Sequence, residues 1–194
     1  MTSKFFGFLD RMKLIDRWAL MRNTAKEDVA QHTMQVALIA HALCVIENKL
    51  YGGKLDAEKA AVLALYHESA EVVTGDLPTP VKYYDADINR AYKNIEGRAE
   101  KKLIETLPDE LRECFAPCVQ PDKTSQEYVM VKRADKLSAL IKCAEELAAN
   151  NNEFKSAYDS TLKILSIAPE KSVKYFIDVF LPAYSESLDY LLDE

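Results

Sequence analysis

The sequence predicts an all-α fold. Three observations carry that expectation. Apolar residues recur at helical spacing almost throughout, glycine occurs only five times, and no turn dipeptide is flanked by the alternating apolar pattern of a hairpin. No linker is long enough to separate domains, so residues 1–194 are expected to form one domain, large enough to bury a substantial core.

Residues 3–15 are expected to hold one or two short amphipathic helices, with Phe5, Phe8, Leu9 and Met12 on one side. A polar connector follows, from Arg17-Trp18 to Arg22-Asn23-Thr24. Asp28 with Gln31 three residues on has the pattern of a capping box. It opens a helix over 29–49 whose Val29, Val36, Ile39, Ala40, Leu43 and Ile46 form the apolar face, and Gly52-Gly53 ends it. Asp56 caps a helix over 57–73 with Ala60, Leu63, Ala64 and Ala70 as core positions. After a loop at 75–80, a charged helix over 86–106 carries Ile88, Ala91, Ile95, Ala99, Leu103 and Ile104 as its expected stripe, with Gly97 placed for close packing. Pro108 starts a short helix to about Phe115, and Pro117 and Pro121 mark a loop. Ser125 caps a helix over 126–149 with Val131, Ala134, Leu137, Ile141, Ala144 and Ala148 facing inward. Helices over 153–166 and 170–191 close the chain, the last kinked or split at Pro182.

Composition narrows the partners. Hydrophobic residues make up 48% and charged residues 29%, with a net charge of −6. A broad cationic footprint for a nucleic-acid polymer is missing, which favours a small phosphorylated molecule held by a metal or a few placed cations. The run Phe5, Phe6, Phe8, Leu9 is too short for a signal or a span, so no membrane is expected. Cys44, Cys114, Cys118 and Cys143 complete no zinc pattern and are expected as buried free thiols in a reducing, cytoplasmic setting.

The stretch from Tyr66 to Pro80 organises the candidate site. His67 and Glu68 are adjacent, with Cα atoms about 3.8 Å apart, so both can reach one cation. Glu71 lies at i+4 from His67 and is expected on the same face of the helix, within reach of a water held by that cation. The chain has only three histidines. His32, in the first turn of its helix, and Asp135, beside an apolar stripe, complete a proposed cluster of His32, His67, Glu68 and Asp135. Two imidazoles and two carboxylates suit one divalent transition metal such as Co²⁺ or Mn²⁺, with two octahedral positions left for water and a substrate oxygen. His41 has no acidic neighbour and is left out. Spacing alone favours satisfied, half-buried histidines and a surface Asp135, since ligands spread over so much of the chain leave no local signature.

The segments around His32, His67-Glu68 and Asp135 resemble the HD-domain metal-dependent phosphohydrolases, whose ligand order is His, His-Asp, Asp. Here the doublet is His67-Glu68, one methylene longer. Arg17-Trp18, Glu71, the run Gly75-Asp76-Leu77-Pro78-Thr79-Pro80-Val81-Lys82, and the segment from Lys142 to Leu147 with Asn151 to Phe154 resemble the bacterial 5′-deoxynucleotidases within that superfamily. The resemblance, from about residue 5 to residue 185, implies a helical HD-domain bundle, a homodimer, and hydrolysis of deoxyribonucleoside 5′-monophosphates.

It also implies roles for the residues. The metal polarises the phosphate and acidifies a water, Glu71 accepts that water's proton, and Asp76 positions the water or assists the leaving oxygen. Arg17 contacts the phosphate. Trp18 walls the sugar and crowds a 2′-hydroxyl. Leu77, Pro78 and Thr79 shape the phosphate side, with His32, Glu68, Asp76 and Asp135 also facing substrate. Two other readings use the same residues: a triphosphate or cyclic-nucleotide hydrolase, and a nucleotide-binding protein whose site has decayed at Glu68.

Overall fold

The computed structural model describes residues 2–82 and 84–192, apart from the side chain of Thr79. Its N-terminal apolar run divides into α1 (Phe5–Leu9) and a 3-10 turn over Asp10–Leu14. Phe5 and Met12 are buried, and Phe5 anchors a small cluster with Leu103, Ile104, Leu107 and Val119. The polar connector leads to α2 (Val29–Tyr51). Asp28 accepts the Gln31 amide at 2.8 Å while the Gln31 side chain accepts the Asp28 amide at 3.0 Å, which satisfies two donors a helix start leaves open. Gly52, at φ 75°, ends α2 in the left-handed region where a side chain would be strained.

Next come α3 (Ala57–Tyr66), α4 (Glu71–Thr74), α5 (Thr79–Lys82), α6 (Ala86–Glu105) and α7 (Asp109–Val119). The chain closes with α8 (Gln126–Ala148), α9 (Lys155–Ser166), α10 (Lys171–Val179) and α11 (Leu188–Leu192). The main core lies where α2, α3 and α8 meet, with Val36, Ala40, Leu43, Ala60, Leu63, Ala134, Leu137 and Ile141 at its centre. Among the described residues no strand forms, and the one extended pairing is an isolated antiparallel bridge between Asp16 and Asp28. α2 is long and apolar enough to cross a bilayer by length and composition, yet 56% of that window is buried inside the protein. Its apolarity serves the core.

Several boundaries differ from the sequence expectation, each for a local reason. The helix expected over 57–73 breaks at His67. The His67 ring Nδ1 bonds the Ala64 carbonyl at 2.7 Å, competing for an acceptor that the next helical amide would need. The backbone then turns tightly through Ser69→Tyr66 and Glu71→Glu68 bonds of 3.0 Å each. Glu71 therefore starts a new short helix rather than continuing the face of His67.

In α6 the first half of the stripe is shifted: Ile88 and Ile95 are exposed while Tyr92 is buried. The buried face runs Tyr92, Glu96, Ala99, Leu103. Glu96 concealed it, a charged residue tolerated there because it pairs with Lys82 and Lys93. Gly97 has nothing within 4 Å of where a Cβ would sit, so close packing is not its reason.

Pro117 lies inside α7 rather than in a loop. It removes one hydrogen bond near the helix end, and Phe115, Ala116 and Val119 packed against the Phe5 cluster hold that turn. Residues 79–82 close the expected 75–80 loop with one helical turn. Ala148 is exposed in the last turn of α8, and of the cysteines only Cys44 and Cys143 are buried. Pro182 does divide the last segment, in a 3-10 turn over Leu181–Ser185.

Candidate metal centre

His32 enters from the first turn of α2, His67 and Glu68 from the turn after α3, and Asp135 from the middle of α8. One ligand atom from each lies within 4.8 Å of every other. Ligands of one ion at 2.0–2.2 Å can be no more than about 4.4 Å apart, so the cluster closes on a cation with a few tenths of an ångström of adjustment. Glu68 Oε1 is 3.3 Å from His67 Nε2, and Asp135 Oδ1 is 3.3 Å from His32 Nε2. The extra methylene of Glu68 does not take its carboxylate out of the cluster.

The donor chemistry fits a metal. Ser138 donates to Gln35 Oε1 at 2.6 Å, so its oxygen receives His32 Nδ1–H at 2.9 Å. The His67 Nδ1 partner is a carbonyl, which only accepts. Both rings are thus held with the proton on Nδ1 and the lone pair on Nε2. Those two Nε2 atoms are buried without a hydrogen-bond partner, an arrangement that costs stability unless something electrophilic binds there. Burial lowers the His32 pKa, which favours the neutral ring a metal needs.

Asp135 is divided between two tasks: Lys132 holds Oδ2 at 2.8 Å, leaving Oδ1 toward His32. Burial pushes the Asp135 carboxyl up, but the Lys132 ammonium outweighs it and holds the group well below the usual range.

Around the cluster, Glu71 is 5% exposed and its Oε2 has no partner. Burial first, then the carboxylates Glu68 and Asp76, push its pKa up to about 10. The Arg17 guanidinium opposes that rise, and a divalent ion held by the four ligands would oppose it further, toward the ionised form that can take up a proton. Burial also raises Asp76. Arg17 is raised: burial lowers it, but Glu27, which accepts its Nε at 3.1 Å, and then Asp135, Glu68 and Asp76 outweigh that. The Trp18 ring packs on Phe154 at 5.3 Å. Leu77 and Pro78 are half-buried in the connection to α5. Thr79 opens α5, but its side chain lies outside the described residues.

Sequence reading missed four supporting groups. Lys132 and Ser138 sit three residues on either side of Asp135, a helical spacing that could have flagged both. Gln35 stands one turn after His32. Glu27, beside the Asp28 cap, has no periodic signal, because its role depends on the fold of the connector.

The family model for YfbR-like 5′-deoxynucleotidases matches residues 4–184. The chain belongs to this family. Proteins described as 5′-deoxynucleotidase YfbR from Salmonella arizonae and Salmonella newport are each 50% identical over 188 residues, 96% of this chain and 94% of theirs. Among solved structures, an HD-domain phosphohydrolase from Listeria innocua matches with a TM-score of 0.82 at 24% identity, over 93% of this chain and 88% of that one. The cyanophage S-2L HD phosphohydrolase DatZ, bound to dA and one catalytic Zn²⁺, matches at 0.58 and 17% identity, over 94% of this chain and 98% of that one. At these identities the two structures speak for the HD-domain fold, and the YfbR-like relatives for the family.

Proposed function

We propose that this YfbR-like chain is a metal-dependent 5′-deoxynucleotidase that hydrolyses deoxyribonucleoside 5′-monophosphates to deoxynucleoside and phosphate. The observation that carries the reading is the pair of buried, unpartnered Nε2 atoms of His32 and His67, converging with Glu68 and Asp135 in a chain half identical to proteins described by that activity. The whole chain, residues 1–194, acts as one domain in this reading.

His32, His67, Glu68 and Asp135 would hold one divalent transition ion, and mixed imidazole and carboxylate donors suit Co²⁺ or Mn²⁺. Such an ion, when bound, polarises phosphate oxygens and makes water more acidic. Arg17 spends Nε on Glu27, so its two terminal nitrogens serve the phosphate. Glu71 accepts the proton of the attacking water as the water oxygen bonds to phosphorus and the bond from phosphorus to O5′ breaks. Asp76, whose carboxyl pKa burial raises, gives the departing 5′-oxygen its proton. The Trp18 indole lies along the sugar, where a 2′-hydroxyl is crowded, and Leu77, Pro78 and Thr79 close the phosphate side.

Two further assignments belong to the same reading. Free cysteines fit a cytoplasmic location. A homodimer would cover the exposed row Met34, Leu38 and Val45 along α2.

The test is phosphate release from paired ribo- and deoxyribonucleoside monophosphates across a series of divalent ions. Release from the deoxy member of each pair, dependent on Co²⁺ or Mn²⁺, is expected. Glu71→Gln should lower kcat by about 10²–10⁴-fold with metal content retained. Trp18→Ala should relax the sugar preference. No phosphate release with any ion would sink the proposal.

A further inference from the structure

Glu27 is the least conspicuous acid near the site, and its bonding is unlike that of the others. Its Oε2 atom accepts Arg17 Nε at 3.1 Å and Trp18 Nε1 at 2.8 Å. A carboxylate oxygen has two lone pairs, and here both are used, one on each of two neighbouring side chains. The Arg17 and Glu27 side chains are only 12% and 13% exposed, so water competes little for either bond.

The backbone places the carboxylate there. Arg17 N donates to Glu27 O at 2.9 Å and Val29 N to Ile15 O at 3.0 Å, and the isolated Asp16–Asp28 bridge joins the same two segments. Glu27 therefore stands directly across from Arg17. Trp18 then reverses the chain at φ 58°, a left-handed conformation that is costly for a large side chain. Met21 N and Asn23 Nδ2 both donate to its carbonyl, at 2.8 and 3.3 Å. At the far end of the loop, Thr24 is pinned to Glu146 by its amide and hydroxyl. The indole is thus held from three sides: by its own backbone, by Phe154 and by Glu27.

We infer that Glu27 is a positioning residue for specificity, whose single oxygen ties the guanidinium that takes the phosphate to the indole that faces the sugar, so that phosphate affinity and 2′-hydroxyl discrimination are set together. The inference rests on the deoxynucleotidase reading for the roles of Arg17 and Trp18. It adds that neither is independent of the other. A 2′-hydroxyl that pushes the indole aside also strains the bond that aims Arg17, so a ribonucleotide loses twice.

The experiment uses full-length, metal-loaded protein with Glu27→Gln, Glu27→Ala, Trp18→Phe and the Glu27→Ala/Trp18→Phe pair. Glu27→Gln keeps an oxygen for the indole but removes the charge facing Arg17. Its KM for a deoxynucleoside monophosphate should rise about tenfold with the deoxy-to-ribo ratio of kcat/KM nearly kept. Glu27→Ala should raise KM similarly and also lower that ratio by about tenfold. Trp18→Phe, which has no N–H to donate, should lower the ratio, raise KM by less than Glu27→Ala does, and add little in the Glu27→Ala background.

Trp18 is the only tryptophan, so its emission maximum and acrylamide quenching report the indole directly, without turnover. Both should change in Glu27→Ala and stay near wild type in Glu27→Gln. Should Glu27→Ala fail to fold by circular dichroism, the KM-against-ratio split of Glu27→Gln decides. Equal losses of kcat for both sugars, unaltered fluorescence in Glu27→Ala, or full additivity in the double variant would overturn the inference. A wild-type protein that releases no phosphate overturns the activity reading instead, and the fluorescence comparison still judges the coupling.

Discussion

Ser138 touches no ligand atom of the proposed ion, yet it decides which nitrogen of His32 is available. Because its hydroxyl proton is committed to Gln35, it can only accept from His32 Nδ1, and the lone pair is left on Nε2. Removing such a partner frees the ring to rotate and lowers its basicity. Ser138→Ala should therefore weaken metal binding by about 10–100-fold, measured by titrating metal-free protein with Mn²⁺ or Co²⁺. Unchanged affinity would mean that packing alone orients the ring. The candidate cluster of His32, His67, Glu68 and Asp135 was legible in the sequence by residue type, since few types bind transition metals and the chain has three histidines. Their helpers were less so, because serine, glutamine and lysine serve many purposes and only contact reveals this one.

At the scale of elements, the caps were the most readable features. Asp28, Asp56 and Ser125 each accept an amide of the first turn in the structure, because capping chemistry is local in the chain. Apolar stripes were read well where burial is complete, as in α2 and α8, and misread in α6, where an ion-paired Glu96 takes an interior position. Gly97 offers a clean test of that helix. It is helical, has free space where a Cβ would go, and is not in the left-handed region. Gly97→Ala should stabilise the protein by about 0.5–1 kcal/mol, a rise in Tm of about 2 °C, with activity unchanged. A lower Tm in a calorimetric scan would show that α6 depends on the flexibility of that position.

Across the whole molecule, the connector that carries Arg17 and Trp18 is fastened to α8 and the loop after it by one buried carboxylate. Glu146, 1% exposed, accepts from Thr24 N at 2.9 Å, Thr24 Oγ1 at 2.7 Å, Asn151 Nδ2 at 2.8 Å and the Lys142 ammonium. Lys142 also donates to the Ala25 carbonyl. Burial pushes the Glu146 carboxyl up, but the hydrogen bonds from Lys142, Asn151 and Thr24 outweigh it and hold its pKa at about 2. The folded value lies below the unfolded value of about 4.3. Stability from this group is therefore fully present above about pH 4.3 and is lost as the pH falls toward 2, on the order of 3 kcal/mol in all. Glu146→Gln should be less stable at pH 7, with Lys142 left unpaired, and should lose less on going from pH 5 to pH 2.5. Urea midpoints at those pH values check both; parallel acid losses in the two proteins would remove Glu146 from the account.

Taken alone, the sequence determined the helical class, the capped starts of the long helices, the core faces of α2 and α8, and the residue types able to hold a metal. These follow from short-range periodicity and from the limited chemistry of histidine and carboxylate side chains. Tertiary structure decided the rest: the break at His67 that turns Glu68 into the cluster, the Nδ1 partners that aim both imidazoles, and the shared bond of Glu27 to Arg17 and Trp18. His32 and Ser138 are 106 positions apart, and Thr24 and Glu146 are 122 apart. No local pattern records such pairs, because they form only when packing of α2 against α3 and α8 brings distant segments together.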